Sequence, residues 1–163
     1  MARVSKILMI TFKPHSREDA PLRVKWLNNK KANIFAVDDP NQTTNLEKEN
    51  KWFDNYEKNE NKKFFTIYHN TTPIGFMGLT KVDKNKKEAN LFIMIGEDAF
   101  RKKGYGKISL QYLIDYAFNT LNLNRLIAEV NKKNTASIQL NKSLNFKISD
   151  YSGNELKFFL NKG

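Results

Sequence analysis

The sequence predicts a single domain of mixed α/β (α+β) class over residues 1–163, with a central mixed seven-stranded sheet and about four helices on its two faces. Three observations support this class. Short apolar runs of strand length alternate along the chain with longer segments whose apolar residues recur at helical spacing. Turn-forming residues separate these segments. The chain ends in two strand-like runs divided at Gly153.

The first third of the chain predicts one strand and two helices. The strand covers about residues 6–13. A helix is expected over about 16–28, where a serine N-cap is followed three residues later by an aspartate. A loop that contains Asp38-Asp39-Pro40 follows. The segment Thr44-Asn-Leu-Glu47 is a capping box, which opens a second helix predicted to run over about 44–58.

The middle of the chain predicts a hairpin and a further strand. The hairpin strands cover 64–68 and 74–82, with turn residues between them. The charged stretch 83–87 is the next predicted turn, and 88–95 is the following strand.

The longest helix is predicted over about 104–121. Its buried face is predicted to consist of Ile108, Leu110, Leu113, Ile114, Ala117, Phe118 and Leu121. A strand at 125–130 and a helix at about 134–144 follow. The terminal strands are predicted at 146–151 and 155–160.

Composition excludes several classes of protein. The chain contains no cysteine, which excludes disulfides, thiol nucleophiles and cysteine-ligated metal, and which suits a reducing cytosol. Two histidines, His15 and His69, are too few to build a zinc site alone, and we expect no metal. No apolar run approaches the ~20 residues of a membrane span, and no segment has the pattern of a secretory signal. We therefore expect a cytoplasmic protein without membrane contact.

The net charge of +11 arises from 28 Lys and Arg against 17 Asp and Glu. A basic surface can serve nucleic acid, an anionic membrane or an anionic cofactor. Outside the loop at Arg101, the basic clusters are scattered over separate turns, and no aromatic-basic platform is visible. We therefore do not expect nucleic-acid binding. The positive field would attract an anionic cofactor or a phosphorylated acceptor.

The most informative segment joins the fourth predicted strand to the longest helix. It consists of Arg101, Lys102, Lys103, Gly104, Tyr105, Gly106 and Lys107. The N–H groups of a first helical turn lack partners, the helix dipole favours negative charge there, and glycines let a phosphate approach the backbone. A Walker loop would require Ser or Thr at Ile108, and a dinucleotide fingerprint would require a third glycine at Ser109. The segment therefore predicts a phosphate-bearing ligand of another kind.

Separated motifs resemble those of the GNAT superfamily of acetyl-CoA-dependent N-acetyltransferases. Residues 101–106 match the pattern Arg/Gln-x-x-Gly-x-Gly/Ala of its pyrophosphate-binding signature. Residues 134–146 are similar to its second signature, Asn-x-x-Ser followed by Leu-Gly-Phe, with Asn145 in place of the glycine. Residues 95–101 are similar to the Ile-Gly-Glu-x-x-Tyr-Arg motif of the RimJ/RimL-like branch. The resemblance covers nearly the whole chain and implies a GNAT-like fold and acyl transfer to an amine.

The resemblance also implies how acetyl-CoA binds as a co-substrate. In the family the cofactor lies between the fourth and fifth strands. Backbone groups near Met94 and Ile95 are expected to bind its pantetheine arm, and the N–H groups of Lys102 to Lys107 its pyrophosphate, with Arg101 beside them. Asn134 lies where relatives often contact the cofactor. Asparagine is also a favourable helix N-cap, and the two roles are compatible.

For the chemistry, relatives often carry a glutamate base on the fourth strand, where this chain has Asn90. Glu88 shares the face of Asn90 by strand alternation, so it is the predicted base, acting through a water molecule. Glu129 on the fifth strand is the alternative, and Glu88 could instead be a solvated residue at a strand start. Asn141 stands where many relatives have an acidic tyrosine. Its side chain could donate a hydrogen bond but cannot supply a proton.

The first two helices are expected to form the acceptor pocket. The predicted lining residues are Trp26, Asn28, Trp52 and Phe76, and core packing is the alternative for each tryptophan. Trp26-x-Asn28 and the overall layout are similar to N-acetyltransferases that modify the free amine of a nucleotide-linked amino sugar. The pyrophosphate of such an acceptor would suit the charge of +11.

Other functions stay open at this point. A polyamine or a protein N-terminus of ribosomal type could be the acceptor. The absence of the usual Glu and Tyr also leaves a non-enzymatic CoA-binding regulatory module as an alternative. A homodimer is one of the assemblies to be expected.

Overall fold

The computed structural model describes residues 9–35, 39 and 41–163. Its strands are β1 (Ile10–Pro14), β2 (Lys63–His69), β3 (Thr72–Asp83), β4 (Glu88–Ile95), β5 (Arg125–Asn131), β6 (Lys147–Ser152) and β7 (Glu155–Asn161). They form one seven-stranded sheet in the spatial order β1-β2-β3-β4-β5-β7-β6. Strands β4 and β5 run parallel, whereas the other neighbouring pairs are antiparallel. The predicted mixed sheet of seven strands is confirmed.

The described residues contain five α-helices, one more than predicted. They are α1 (Ala20–Leu27), α2 (Lys30–Asn33), α3 (Leu46–Tyr56), α4 (Tyr105–Asp115) and α5 (Thr135–Ser143). A 3-10 turn at Arg17–Asp19 precedes α1, and α4 continues into a π-helical turn at Tyr116–Thr120. The additional helix is α2, which has only four residues and is capped by the side chain of Asn29. None of the helices in this described part is long and apolar enough to cross a membrane.

Each face of the sheet packs against a different set of helices, because alternate strand residues point to opposite sides. The larger core packs α4 and α5 against residues such as Leu91 of β4 and Leu126 of β5. The smaller core lies on the opposite face, where Trp26 of α1 packs with Phe76 of β3 and Met94 of β4. This second face is covered by α1 and α3, which contain two of the four residues that the sequence predicted to line an acceptor pocket.

One helix start differs from the prediction, and two predicted segments extend beyond the described residues. The N-cap of α3 is Asn45, whose side chain accepts a hydrogen bond from the N–H of Lys48, so the predicted capping box at Thr44 is wrong by one residue. The hydroxyl of Thr44 instead donates to the carboxylate of Glu49 at 2.5 Å. Residues 6–8 of the predicted first strand, and Asp38 and Pro40 of the predicted loop, lie outside the described residues.

The pairing between β4 and β5 is short, and the two strands then diverge. The paired positions are Glu88 with Arg125, Ala89 with Leu126 and Asn90 with Ile127. Beyond them β4 remains paired with β3 alone and β5 with β7 alone. Within the described chain, the backbone of residues 91–95 therefore has no strand partner on its β5 side. The result is an open gap in the middle of the sheet.

Gly96 allows the carboxyl end of β4, which borders this gap, to lie close against α1. A Cβ atom at Gly96 would lie within 3.0 Å of ring atoms of Trp26, a separation that real Cβ atoms essentially never show. The indole N–H of Trp26 donates to the carboxylate of the next residue, Glu97, at 2.5 Å. The Ile-Gly-Glu motif noted in the sequence therefore holds the carboxyl end of β4 against α1.

Candidate active site

The loop from Arg101 to Lys107 connects β4 to the start of α4. Lys102 and Gly104 both have positive φ, of 61° and 82°, so the loop makes two left-handed steps before the helix begins. Gly104 is the N-cap of α4 and provides no side-chain cap for the first turn. A Cβ atom at Gly106 would meet only Leu140, at 3.6 Å, so packing among the described residues does not require a glycine there. The exposed side chains of Lys102, Lys103 and Lys107 surround this helix start.

Arg101 stabilises the base of the loop. Its guanidinium donates from Nη1 to the backbone carbonyl of Ile95 at 2.8 Å and forms an ion pair with Asp98. The carbonyl of Ile95, which was predicted to face the cofactor, therefore already accepts one hydrogen bond. These contacts hold the carboxyl end of β4 and the basic loop together as one unit.

The gap begins beyond Asn90, where the pairing of β4 with β5 ends. Met94 and Ile95 lie on its β4 edge. The side chain of Met94 is buried on the α1 and α3 face, whereas that of Ile95 packs on the opposite face. Backbone groups between these side chains face the gap, which is the position the sequence predicted for a pantetheine arm.

Helix α5 contributes two asparagines near the amino and carboxyl ends of the helix. Asn134 is its N-cap and accepts a hydrogen bond from the N–H of Ser137 at 3.2 Å, so the predicted capping role is confirmed. Asn141 is buried and donates from Nδ2 to the carbonyl of Ser137 at 2.8 Å. Its Oδ1 is buried without a hydrogen-bond partner among the described residues. A buried acceptor without a partner is costly, so a ligand that donates to it would relieve this cost.

Two carboxylates lie on the acceptor face near the gap. Glu129 of β5 points away from the larger core, because its neighbours Ala128 and Val130 are buried there. The side chain of Asn90 donates to Oε1 of Glu129 at 3.2 Å across the two strands. Glu88 lies two residues earlier on β4, within the paired region, and is half-buried. Glu129 therefore lies just beyond the last paired residues of β4 and β5, whereas Glu88 lies within the paired region.

A cavity of about 210 Å³ opens on the face covered by α1 and α3. It is lined by Arg23, Leu27, Phe64, Phe76, Phe92 and Met94. Of the four predicted acceptor residues, Phe76 lies in this wall. Trp26 is fully buried behind it, with the two rings stacked at a centroid distance of 6.1 Å.

The other two predicted acceptor residues lie around the cavity. Trp52 of α3 stacks over the guanidinium of Arg23, with 3.7 Å between Cζ and the ring centroid. Asn28 is exposed and forms two hydrogen bonds with the backbone of Thr44, at 2.8 and 3.0 Å. Asn28 therefore connects the end of α1 to the segment before α3, outside the cavity wall.

A buried polar network lies behind the cavity, and the sequence did not predict it. Thr66 of β2 donates to the carboxylate of Asp19 at 2.9 Å, and its hydroxyl lies 2.7 Å from Nδ1 of His15. Nε2 of His15 lies 3.4 Å from Nη1 of Arg23, and Nε of Arg23 donates to Glu49 at 2.7 Å. All five side chains belong to buried residues.

Burial, followed by the charge of Arg23, lowers the pKa of His15 from 6.5 to about 3, so this imidazole is neutral at pH 7. A neutral imidazole has one N–H donor and one acceptor. Since the arginine can only donate, Nε2 is the acceptor and Nδ1 carries the proton. Hydrogen bonds therefore run in one direction, from Arg23 through His15 and Thr66 to Asp19.

The fold and the site together define an acyltransferase of known architecture. The family model described as "Acetyltransferase (GNAT) domain" matches residues 9–147. The chain belongs to this family and is an N-acetyltransferase.

Individual relatives are distant or only partly aligned. The uncharacterized N-acetyltransferase p20 of Bacillus licheniformis is 40% identical over 73 residues, which are 45% of this chain and 40% of that protein. The match thus covers less than half of the length of that relative. Acetyltransferase PseH of Campylobacter jejuni subsp. jejuni serotype O:23/36 (strain 81-176) is 24% identical over 144 residues, which cover 88% of this chain and 87% of that protein.

Solved structures with the same fold include two N-acetyltransferases. The spermidine N-acetyltransferase of Vibrio cholerae, in complex with CoA and spermine, has a TM-score of 0.85 at 16% identity, covering 94% of this chain and 96% of that one. The Campylobacter jejuni N-acetyltransferase PseH has a TM-score of 0.74 at 21% identity, covering 95% and 99%. At these identities the similarity establishes the fold.

Proposed function

We propose that the protein transfers the acetyl group of acetyl-CoA to a primary amine, and that this amine belongs to a nucleotide-linked amino sugar. The observation that carries the first part is the gap between β4 and β5, which leads at the carboxyl end of β4 into a basic, glycine-capped helix start. An anion binds favourably at such a helix terminus, because the N–H groups and the dipole both attract negative charge.

The residues present fit CoA. The backbone N–H groups from Lys102 to Lys107 would hold the pyrophosphate, and the lysines of this segment would neutralise its charge. Backbone groups at Met94 and Ile95 would bind the pantetheine arm, with Asn134 at the start of α5 as a further contact. The buried Oδ1 of Asn141 provides an acceptor for a donor of the ligand. When bound, acetyl-CoA supplies the activated acetyl thioester.

The acceptor amine must lose a proton. An amine with a pKa of ~10.4 is neutral in only about one molecule in 10³ at pH 7, which costs ~4.6 kcal/mol. General-base catalysis typically contributes ~10²–10⁴-fold. We propose Glu129 as the carboxylate that receives this proton, directly or through water, because it lies where the strands diverge and is oriented by Asn90. Glu88, the base predicted from the sequence, is the second candidate.

The acceptor assignment is supported by the sequence resemblance to amino-sugar N-acetyltransferases and by the cavity wall. The described residues that line the cavity are three phenylalanines, a leucine, a methionine and Arg23, and no carboxylate is among these described residues. A polycation would find no anionic partner among these described wall residues. At about 210 Å³ the cavity is closer in size to an amine-bearing ring than to a whole nucleotide.

A polyamine acceptor is the second candidate, favoured by the structural similarity to the spermidine N-acetyltransferase of Vibrio cholerae. A protein N-terminus is the third candidate acceptor, because residues 95–101 are similar to a motif of the RimJ/RimL-like branch. We place the activity in the cytosol, where acetyl-CoA and nucleotide sugars would be the partners.

Two measurements test the proposal. Calorimetry with acetyl-CoA on the folded protein should give saturable heat, and its absence at millimolar concentration would reject acyl transfer. Thiol release from acetyl-CoA should then be followed with UDP-glucosamine, spermidine and a peptide with a free N-terminus. Turnover of the amino sugar above the others is expected. Preference for spermidine would assign the polyamine, and tight CoA binding with no turnover would identify a binding module.

A further inference from the structure

Among the described residues that line the proposed acceptor cavity, Arg23 is the one that carries a charge. It is 5% exposed, and its guanidinium is tightly held. Nε donates to Glu49, Nη1 approaches Nε2 of His15, and Trp52 covers one face of the group. A guanidinium has five N–H donors, so the contacts with described residues use two of the five.

The charge of this guanidinium is balanced within the protein. Glu49 forms a buried ion pair with Arg23 and accepts a second hydrogen bond from Thr44. The pair is neutral as a whole, and the imidazole of His15 beside it is neutral too. An N–H group of Arg23 that faces the cavity would therefore be a donor without an excess positive charge. Such a wall favours an oxygen acceptor that carries no full charge, for example a carbonyl or a hydroxyl group.

The other described residues of the wall are apolar, and none of their side chains is a carboxylate, amide or hydroxyl that would accept a hydrogen bond from an ammonium group. An ammonium group, which can only donate, would have to lose its water without receiving a partner. Binding over an aromatic face is also restricted, because Arg23 already lies 5.1 Å from the ring centroid of Phe76 and covers Trp52. The cavity thus disfavours a second amine near the reacting one.

We propose that Arg23 is a specificity-determining residue, whose remaining N–H donors bind a carbonyl or hydroxyl oxygen on the ring that carries the reacting amine. This inference rests on the proposed acetyl transfer and names the group that the acceptor must present. His15, Thr66 and Asp19 are positioning residues, since their one-directional hydrogen bonds orient Nη1 of Arg23. Glu49 fixes Nε in the same way.

The test compares acceptors that differ in ring oxygens. UDP-glucosamine and glucosamine carry hydroxyl groups next to the amine, and cyclohexylamine is a ring amine without them. The wild-type enzyme should prefer glucosamine to cyclohexylamine in kcat/KM. Arg23→Met should lower kcat/KM for glucosamine and UDP-glucosamine by about 10- to 100-fold, the range of a hydrogen bond to a charged group. The loss should lie mainly in KM, and cyclohexylamine should change by less than about 3-fold.

Removing Arg23 alone leaves Glu49 buried without its partner, which destabilises a fold strongly. The double variant Arg23→Met with Glu49→Met removes both charges and should show the same loss of acceptor preference in a folded protein. Arg23→Lys, which keeps the charge but loses the planar donor group, should recover only part of the preference. A structural role alone would not separate the two ring amines in this way.

The outcomes distinguish this inference from the proposed function. Acetyl-CoA calorimetry on the same samples should give an unchanged Kd for every variant. Absence of acetyl-CoA binding in the wild type would reject acetyl transfer itself. The role of Arg23 would be overturned if the wild type binds acetyl-CoA but favours cyclohexylamine or spermidine. It would also be overturned if the double variant still prefers glucosamine to cyclohexylamine.

Discussion

The side-chain amide of Asn90 donates a 3.2 Å hydrogen bond to the carboxylate of Glu129, from β4 to β5, at the point where these strands separate. In relatives that the sequence resembles, the position of Asn90 often carries the base itself. Here the carboxylate is on the neighbouring strand and the asparagine orients it. This pair is the observation behind the proposal that Glu129 is the base.

Replacement of Glu129 tests this arrangement. We expect Glu129→Gln to lower kcat by about 10²-fold or more, because the amine would lose the group that accepts its proton. Thiol release at saturating acetyl-CoA measures the effect. Glu88→Gln is the matched control, since it removes a carboxylate two residues before Asn90, and it should cost less than about 3-fold. A larger loss at Glu88 than at Glu129 would assign the base to β4.

Gly106 tests the cofactor loop. We expect Gly106→Val to weaken acetyl-CoA binding at least ~10-fold, because the new side chain would occupy the surface that a phosphate must approach. Stability should change little, since the new Cβ would meet one described side chain from outside the helix, that of Leu140 at 3.6 Å. Calorimetry and thermal unfolding measure the two effects. Gly163→Val, where nothing lies within 4 Å, is the control. Equal affinity of both variants would contradict the site.

Gly104 is a less specific position for the same test. Its φ of 82° lies in the left-handed region, where a non-glycine residue costs roughly 1–2 kcal/mol. Gly104→Val should therefore reduce both stability and acetyl-CoA affinity. Comparison with Gly106→Val separates the backbone effect from the loss of ligand space.

His15 makes stability depend on pH. In the folded protein its pKa is about 3, because of burial and then the charge of Arg23, whereas the unfolded chain has the ordinary value near 6.5. Between these values only the unfolded chain binds the proton. The free energy of unfolding should therefore fall by up to ~1.4 kcal/mol for each pH unit below 6.5, and this effect is absent above 6.5.

Urea unfolding of the wild type and of His15→Gln, between about pH 7.5 and pH 4, measures this contribution. The variant loses native contacts at every pH, so the informative quantity is the slope of its unfolding free energy against pH. We expect a shallower slope than that of the wild type. Parallel curves would show that His15 does not carry the pH dependence.

Gly96→Ala tests the contact between β4 and α1. The added methyl group would overlap the indole of Trp26, which is fully buried and cannot move away. Overpacking of this kind typically costs about 1–3 kcal/mol. We expect a lower melting temperature than for Gly106→Ala, which adds the same methyl group at a position with space. Similar melting temperatures would mean that α1 shifts without cost.

Local patterns predicted most of the fold. The bounds of β4, Glu88–Ile95, agree with the prediction because a charged turn precedes the strand and Gly96 follows it. Helix α2 was missed because four residues contain no helical periodicity. The predicted last turn of the long helix is instead a π turn, in which the N–H of Leu121 donates to the carbonyl of Tyr116. Such a change of hydrogen-bond register leaves the apolar pattern nearly unchanged, so the sequence does not reveal it.

The polar part of the site could not be predicted from the sequence, because it depends on contacts between residues that are far apart in the chain. Thr66 lies 51 residues from His15, and Glu49 lies 26 residues from Arg23. An arginine in a helix predicts a solvated position, and only tertiary packing turns it toward the cavity. A carboxylate partner could not be chosen from the sequence, because several acidic residues of α3 were equivalent there. The cofactor loop, in contrast, is continuous, so a single segment was enough to predict it.

The short contact between β4 and β5 has a mechanical consequence for the whole molecule. Three paired positions connect a four-stranded half of the sheet to a three-stranded half. A ligand that fills the gap would add bonds across this seam and join the two halves more firmly. Occupancy would then slow amide hydrogen exchange along residues 91–95, which form the β4 edge of the gap. The enzyme would be most rigid with the cofactor bound, and it would become more flexible again when CoA dissociates.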